Sequence, residues 1–183
     1  MTLRRLGVPG LLVFLTVVGQ TWFMGRAVLL LDVALLISLM LWVVRPITAP
    51  NSRVLPVFIG AVGAQIIHFA EEYRAGFQRV FPAQFGYVWE NWRFVTFNAL
   101  WLIVFGLSIA AIARGRHLGY FSAYFLALAG IGNGIGHLAL AARAGGYYPG
   151  AYTAPLSLIA GVWLTVRLLS QRGGLDDHHR SAV

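Results

Sequence analysis

Three ionisable side chains stand together at the end of an apolar stretch: His68, Glu71 and Glu72 in the segment QIIHFAEEY. Positions i, i+3 and i+4 lie on one face of a helix, so the imidazole and both carboxylates are expected to project together. Burying a charge in a bilayer is costly, about 2.5–3.5 kcal/mol at the centre of a helix on insertion scales. A bound cation, a shared proton or arginine partners would offset that cost.

The alternative is a helix that ends near Ala70. Glu71 and Glu72 would then lie among lipid headgroups, paired with Arg74 or Arg79. Taken alone, the motif supports this arrangement and a functional site about equally.

Polar residues elsewhere in the chain favour the functional site. The segment GIGNGIGHLAL places Asn133 and His137 at i and i+4 near the end of one apolar run, and Asn98 lies about one turn inside the start of another. Successive spans alternate in direction, so these ends meet on one side of the membrane. We therefore predict one shared polar site. Asp32 falls on the same side, either as a member of the site or as a partner of Arg26.

Metal binding is one chemistry that these residue types allow. The chain has no cysteine, so ligands must be His, Asp, Glu or amide groups, and a His/Glu set suits one divalent ion such as Zn, Fe or Mn. No organic cofactor is predicted. The predicted metal ligands are His68, Glu71, Glu72 and His137. The predicted catalytic residues are Glu72, Glu71, His68, Asn98 and Asn133.

The elements that must position these residues are membrane helices. Among the 183 residues, 58% are hydrophobic, only 11% are charged and the mean hydropathy is +0.72, whereas soluble domains carry about 25% charged residues. Apolar runs of roughly 17–25 residues can cross a bilayer as helices. The fold class is therefore an all-α, polytopic transmembrane bundle with six spans. Five spans are the alternative, because the junction at Gly25–Arg26 is tight for a connection between two full spans. The six runs are 6–24, 27–44, 54–70, 94–113, 118–142 and 151–169.

The arginine distribution predicts an orientation. All fourteen basic residues are arginines, and they lie mostly at the ends of apolar runs, which is typical of topology signals and headgroup contacts. Nucleic-acid binding is therefore not predicted. The counts favour the cytoplasmic (inner or plasma) membrane, with the N-terminus cytoplasmic and the polar site near the outer face. Residues 1–172 form one domain, and 173–183 are expected to be a disordered polar tail.

Several other features have simpler interpretations. Glycines at 130, 132, 134 and 136 favour close helix packing, within the chain or between copies. Glu90 is expected to pair with Arg93. The aromatic segment 74–93 suits the membrane interface or a lid over a cavity.

The ordered set of motifs resembles the HXXEE-domain family of small membrane proteins, named for the pattern that HFAEE at 68–72 matches. The similarity continues through Asn98, NGIGH at 133–137, and YYPG at 147–150 with Thr153 and Pro155 beyond. It covers roughly residues 54–169. The resemblance implies the polar site but no particular reaction.

Three functions remain open on the sequence. The first is a metal-dependent hydrolase or oxidase that acts on a small lipophilic substrate. The second is a metal-free isomerase or cyclase of a lipid or terpenoid, in which the Glu/His pair transfers protons and Phe69, Trp89, Trp92 and Trp101 stabilise a carbocation. The third is a non-enzymatic carrier or binding protein for a metal ion, a proton or a lipophile.

Overall fold

The computed structural model describes residues 2–45 and 53–170, with only the backbone for residues 2–6. This part of the chain is all-α, with six long helices and one short one and no strand. The helices are α1 (Thr2–Met24), α2 (Leu29–Val44), α3 (Val54–Ala75), α4 (Phe77–Ala83), α5 (Asn91–Ala113), α6 (Leu118–Ala144) and α7 (Ala154–Leu169). The all-α prediction with six long helices is confirmed. The predicted tail at 173–183 lies outside the described residues.

Four segments of the described chain are long and apolar enough to cross a membrane: Gly7–Val44, Val54–Ala75, Asn91–Ala113 and Leu118–Ala144. The first of them contains both α1 and α2. Helix α7 is shorter, and its 16 residues span about 24 Å at 1.5 Å per residue. The chain thus has the helices of a membrane protein.

A tight turn separates α1 from α2. Gly25 has a φ of 73°, and the four residues Gly25–Val28 form a 3₁₀ turn. The hydroxyl of Tyr87 accepts a hydrogen bond from the Ala27 N–H at 2.8 Å and fills the space that a Cβ on Gly25 would need. The short junction is therefore a turn between two helices, as the six-helix arrangement requires.

Asp32 ties α2 to α1. Its carboxylate is buried and accepts hydrogen bonds from Gln20 and, at 2.7 Å, from Thr21. Both donors belong to α1, so Asp32 joins neither the polar site nor Arg26, and both sequence-based alternatives are wrong.

Helices α6 and α7 pack closely through glycine. A Cβ on Gly134 would lie 2.9 Å from the Ala154 carbonyl oxygen, and one on Gly161 would lie 2.6 Å from that of Ala127. This confirms the packing interpretation for Gly130 and Gly134, whereas a Cβ on Gly132 or Gly136 would meet nothing of another helix within 4 Å in the described chain. Because α7 of the same chain covers Gly130 and Gly134, these two glycines are not free to pair two copies.

The aromatic segment between α3 and α5 folds over one end of the bundle. Phe77 of α4 and Trp89 are buried and pack with Met24, Phe94 and Tyr148. The Trp89 indole N–H donates to the Met24 carbonyl oxygen at 2.6 Å, which fastens the segment to the end of α1. Glu90 stays outside this cluster and pairs with Arg93 at 3.4 Å, as predicted.

Candidate functional site

Two histidines and one glutamate lie close together beneath the aromatic segment that connects α3 with α5. The Oε1 atom of Glu72 lies 3.0 Å from His137 Nε2 and 3.6 Å from His68 Nε2. The two imidazole rings are 4.7 Å apart between centroids, and all three side chains are buried. Helix α3 continues past Ala70 to Ala75, and Glu72 is buried inside the bundle. The alternative in which the helix ends near Ala70 is therefore wrong. We call His68, Glu72 and His137 the buried triad.

The outer partner of His137 fixes which ring nitrogen faces Glu72. Nδ1 of His137 lies 2.7 Å from the Pro149 carbonyl oxygen. A carbonyl oxygen only accepts, so Nδ1 must carry a hydrogen and donate it. In the neutral ring, Nε2 then presents a lone pair towards the Glu72 carboxylate.

His68 is oriented in the same way by Thr153. Nδ1 of His68 lies 2.7 Å from Thr153 Oγ1, and that hydroxyl donates its hydrogen to Glu71 Oε2 at 2.5 Å. Thr153 Oγ1 can therefore only accept from His68, so Nδ1 carries the hydrogen. Nε2 of His68 is left bare, buried and without a hydrogen-bond partner among the described residues.

Glu71 has a different role from Glu72. Its carboxylate accepts four hydrogen bonds: from the Tyr147 hydroxyl, the Tyr152 N–H, and both the N–H and the hydroxyl of Thr153. Four donors fill the four lone-pair sites of a carboxylate, so Glu71 is ionised here. The carboxylate of Glu71 lies beside the amino end of α7, where the helix dipole favours negative charge.

The loop between α6 and α7 holds the outer side of this arrangement. Partial burial and the hydrogen bond to Glu71 raise the pKa of Tyr147 to about 12, because both favour the neutral phenol. Burial likewise raises the pKa of Tyr148, which accepts a hydrogen bond from Gln84 of the aromatic segment between α3 and α5. Gly150 has a φ of 91°, and a Cβ there would overlap the imidazole of His137. The YYPG turn is thus shaped around that ring.

An apolar cavity of about 260 Å³ extends from the buried triad into the bundle. Glu72 and His137 line its polar end, together with the half-buried amides of Gln65, Asn98 and Asn133. The remaining lining is aliphatic and aromatic, from the Gly25–Val28 turn, α2, α3, α4, α5, α6 and Trp89, with Phe105 and Phe125 among the buried members.

The predicted residues lie in three places: in the buried triad, outside it on the side of α7, and on the cavity wall. It brings His68, Glu72 and His137 together; Glu71 lies outside this group and reaches His68 through Thr153. Asn98 and Asn133 lie on the cavity wall. Of the aromatics predicted to face a cation, Phe69, Trp89 and Trp101 line the cavity. Trp92 is exposed and donates to Glu90.

Three contributors to the site were not predicted from the sequence: Gln65, Phe77 and Pro149. Phe77 lies with its ring centroid 4.9 Å from that of His137, and the Pro149 carbonyl orients the same ring. Pro149 lies within the YYPG turn, so that motif was a usable signal. Phe77 is one of many aromatics in its segment, and no local pattern distinguishes it.

Comparison with known proteins gives one family match. A family model described as a protein of unknown function with HXXEE motif matches residues 59–164, which confirms the resemblance drawn from the motifs. No curated protein and no solved structure matches the chain.

Proposed function

The chain belongs to the HXXEE family, and from the geometry of its buried triad we propose that it is a membrane-embedded, metal-dependent enzyme that acts on a lipophilic substrate. The observation that carries this proposal is the buried Nε2 of His68, which has no partner among the described residues although it faces a carboxylate. A buried polar atom without a partner costs about 1–3 kcal/mol. A cation at the centre of the triad would satisfy this nitrogen.

The donor set fits a single divalent ion. Zinc ligands lie at about 2.0–2.2 Å, so two ligand atoms of a tetrahedral site are roughly 3.3 Å apart. The two nitrogen–oxygen separations, 3.0 and 3.6 Å, bracket that value, and all three ligand atoms lie within 4.8 Å of one another. One proton between His137 and Glu72 would satisfy that pair but would leave His68 unpaired.

The surroundings of the two histidines support the same assignment. Metal-bound histidines usually donate the other ring N–H to a carbonyl or carboxylate, which fixes the tautomer and strengthens the ligand. His137 donates to Pro149, and His68 donates to Thr153, whose hydroxyl is held by Glu71. Three buried side chains supply the inner ligands, and Glu71 acts as a positioning residue.

The cavity supplies the substrate side of the proposal. Three protein ligands leave a coordination position open, where a divalent ion acts as a Lewis acid on a bound polar group. Glu72 and His137 line the cavity, so this position would face the apolar space. We further propose that the protein lies in the cytoplasmic membrane with the buried triad towards the outer face.

Metal analysis tests the proposal without knowledge of the substrate. The protein is purified without a His-tag, with His178 and His179 replaced by Ala, because the tail pair could bind metal adventitiously. We expect about one divalent ion per chain by elemental analysis. His68→Ala, Glu72→Gln and His137→Ala should each weaken binding by more than the roughly 10–100-fold typical of losing an outer partner.

His117→Ala and Glu90→Gln are the matched controls, since both residues are exposed and lie outside the buried triad. They should retain the ion. Protein that binds no more metal than its His68→Ala variant, in titrations with Zn, Fe and Mn, would refute the metal assignment.

The 3.0 Å contact between His137 and Glu72 favours a second candidate, a proton-transfer isomerase or cyclase. A shared proton at the end of an apolar cavity can be given to an alkene, and Phe69 and Trp101 on the wall could face the resulting cation. Turnover that survives strong chelators but is abolished by Glu72→Gln would establish this candidate over the first.

A further inference from the structure

The lining of the cavity reaches the surface of the bundle at one residue of α2 and one of α6. Leu30 on α2 is 75% exposed, and Gly132 on α6 is exposed as well. Every other lining residue is buried or half-buried. Both helices belong to segments apolar enough to cross a membrane, so an opening at this position faces the bilayer laterally.

Two rows of glycine on α6 serve different purposes. Gly130 and Gly134 face α7, where an added Cβ would meet backbone oxygens of that helix. Gly132 and Gly136 lie on the cavity wall, and an added Cβ on either meets nothing within 4 Å. The second row therefore leaves free space along the cavity wall instead of closing a helix contact.

We propose that this opening is a lateral portal, bounded by Leu30 and Gly132, through which a compact, single-chain lipophile with one neutral polar group enters from the bilayer. The polar group would stop beside Asn133 and His137, and the chain would lie against the apolar wall. This inference rests on the proposed function and specifies its substrate class.

The size of the cavity limits the ligand. Its volume of about 260 Å³ is just below the roughly 300–1,000 Å³ typical of pockets for drug-sized molecules. A short alkyl or isoprenoid chain fits this space, whereas the two acyl chains of a phospholipid do not.

The polar lining defines the chemistry of the head group. Gln65, Asn98 and Asn133 offer carboxamides, which donate and accept hydrogen bonds without carrying charge. None of the described lining residues is an arginine, the usual partner of phosphates and carboxylates. An alcohol, ether or carbonyl group matches this lining.

Photolabelling in membranes tests the portal directly. The probe is dodecan-1-ol that carries an alkyl diazirine, and labelled peptides are mapped by mass spectrometry. We expect labels on α2 and α6 near Leu30 and Gly132, reduced by excess dodecan-1-ol but not by a two-chain diacylglycerol. Gly132→Phe should lower labelling about tenfold, because the ring would occupy the open space at this position.

Gly106→Phe is the matched control, because Gly106 lies on α5 with open space around it and does not line the cavity. It should leave labelling unchanged. Labelling that persists in Gly132→Phe, or equal competition by diacylglycerol, would overturn the portal. So would a dimer that Gly132→Phe dissociates, since the glycines would then form an interface between copies.

Metal content is measured on the same samples, so the two proposals can fail separately. Gly132→Phe should keep the ion while it loses the label. Labelling that depends on Gly132 in protein without metal would count against the metal assignment alone.

Discussion

At the scale of single residues, the adjacent glutamates Glu71 and Glu72 make different contacts. Glu72 is buried against both imidazoles, whereas Glu71 accepts four hydrogen bonds at the start of α7. The difference arises because neighbours on a helix point about 100° apart. Thr153 connects the two arrangements, since its hydroxyl contacts both Glu71 and His68.

Removal of the Thr153 hydroxyl should weaken metal binding although Thr153 is not a ligand. We expect Thr153→Val to lower affinity about 10–100-fold, because Nδ1 of His68 loses the acceptor that orients the ring. Thr153→Ser keeps the hydroxyl and should bind nearly as well as the native protein. Competition with a chelator measures both. Equal affinities for the native protein and Thr153→Val would show that the hydroxyl does not orient the ligand.

At the scale of elements, α6 is the helix on which the site depends. One of its faces packs on α7 through glycine, and another lines the cavity with Asn133 and His137. Close approach to α7 also brings the YYPG turn back over His137. The order of small and polar residues along α6 therefore sets both the packing and the site.

Alanine at two neighbouring glycines of α6 should change stability in opposite directions. Gly134→Ala places a Cβ 2.6 Å from that of Leu158 and 2.9 Å from a backbone oxygen, which should cost about 1–3 kcal/mol. Gly136→Ala meets open space and should stabilise by about 0.5–1 kcal/mol through the lower backbone entropy of alanine. Unfolding in mild detergent with increasing denaturant measures both. Equal effects of the two substitutions would contradict the assigned faces.

At the scale of the whole molecule, the arginines predict the side on which the site lies. Among the described residues, seven arginines lie at the end of the bundle opposite the buried triad and five lie at the end that carries it. The seven are Arg4, Arg5, Arg45, Arg53, Arg114, Arg116 and Arg167, and the five are Arg26, Arg74, Arg79, Arg93 and Arg143. An excess of arginine on the cytoplasmic side therefore favours a buried triad near the outer face.

Cysteine labelling can test this orientation without background, because the chain contains no cysteine. Ala144→Cys lies at the end that carries the triad, and His117→Cys lies at the opposite end; both positions are exposed. A membrane-impermeant maleimide should label Ala144→Cys in intact cells and His117→Cys only after lysis. The reverse pattern would place the triad on the cytoplasmic side.

The sequence by itself determined the helices and the layer in which the polar groups lie. The lengths of the apolar runs predicted six long helices; α3 extends five residues beyond its run, and α1 begins four residues before its run. Alternation of direction placed His68, Asn98 and His137 at one end. These properties are local or follow from connectivity, so period and order are sufficient.

Only the tertiary structure decided which groups touch. In the structure Glu72 contacts His137, and Glu71 accepts hydrogen bonds at the amino end of α7. Asp32 packs against α1, and Gly132 lies on the cavity wall. Such contacts depend on the rotation of each helix about its axis and on its axial offset from its neighbours. Packing between helices sets these two quantities, and the sequence of any one helix does not contain them.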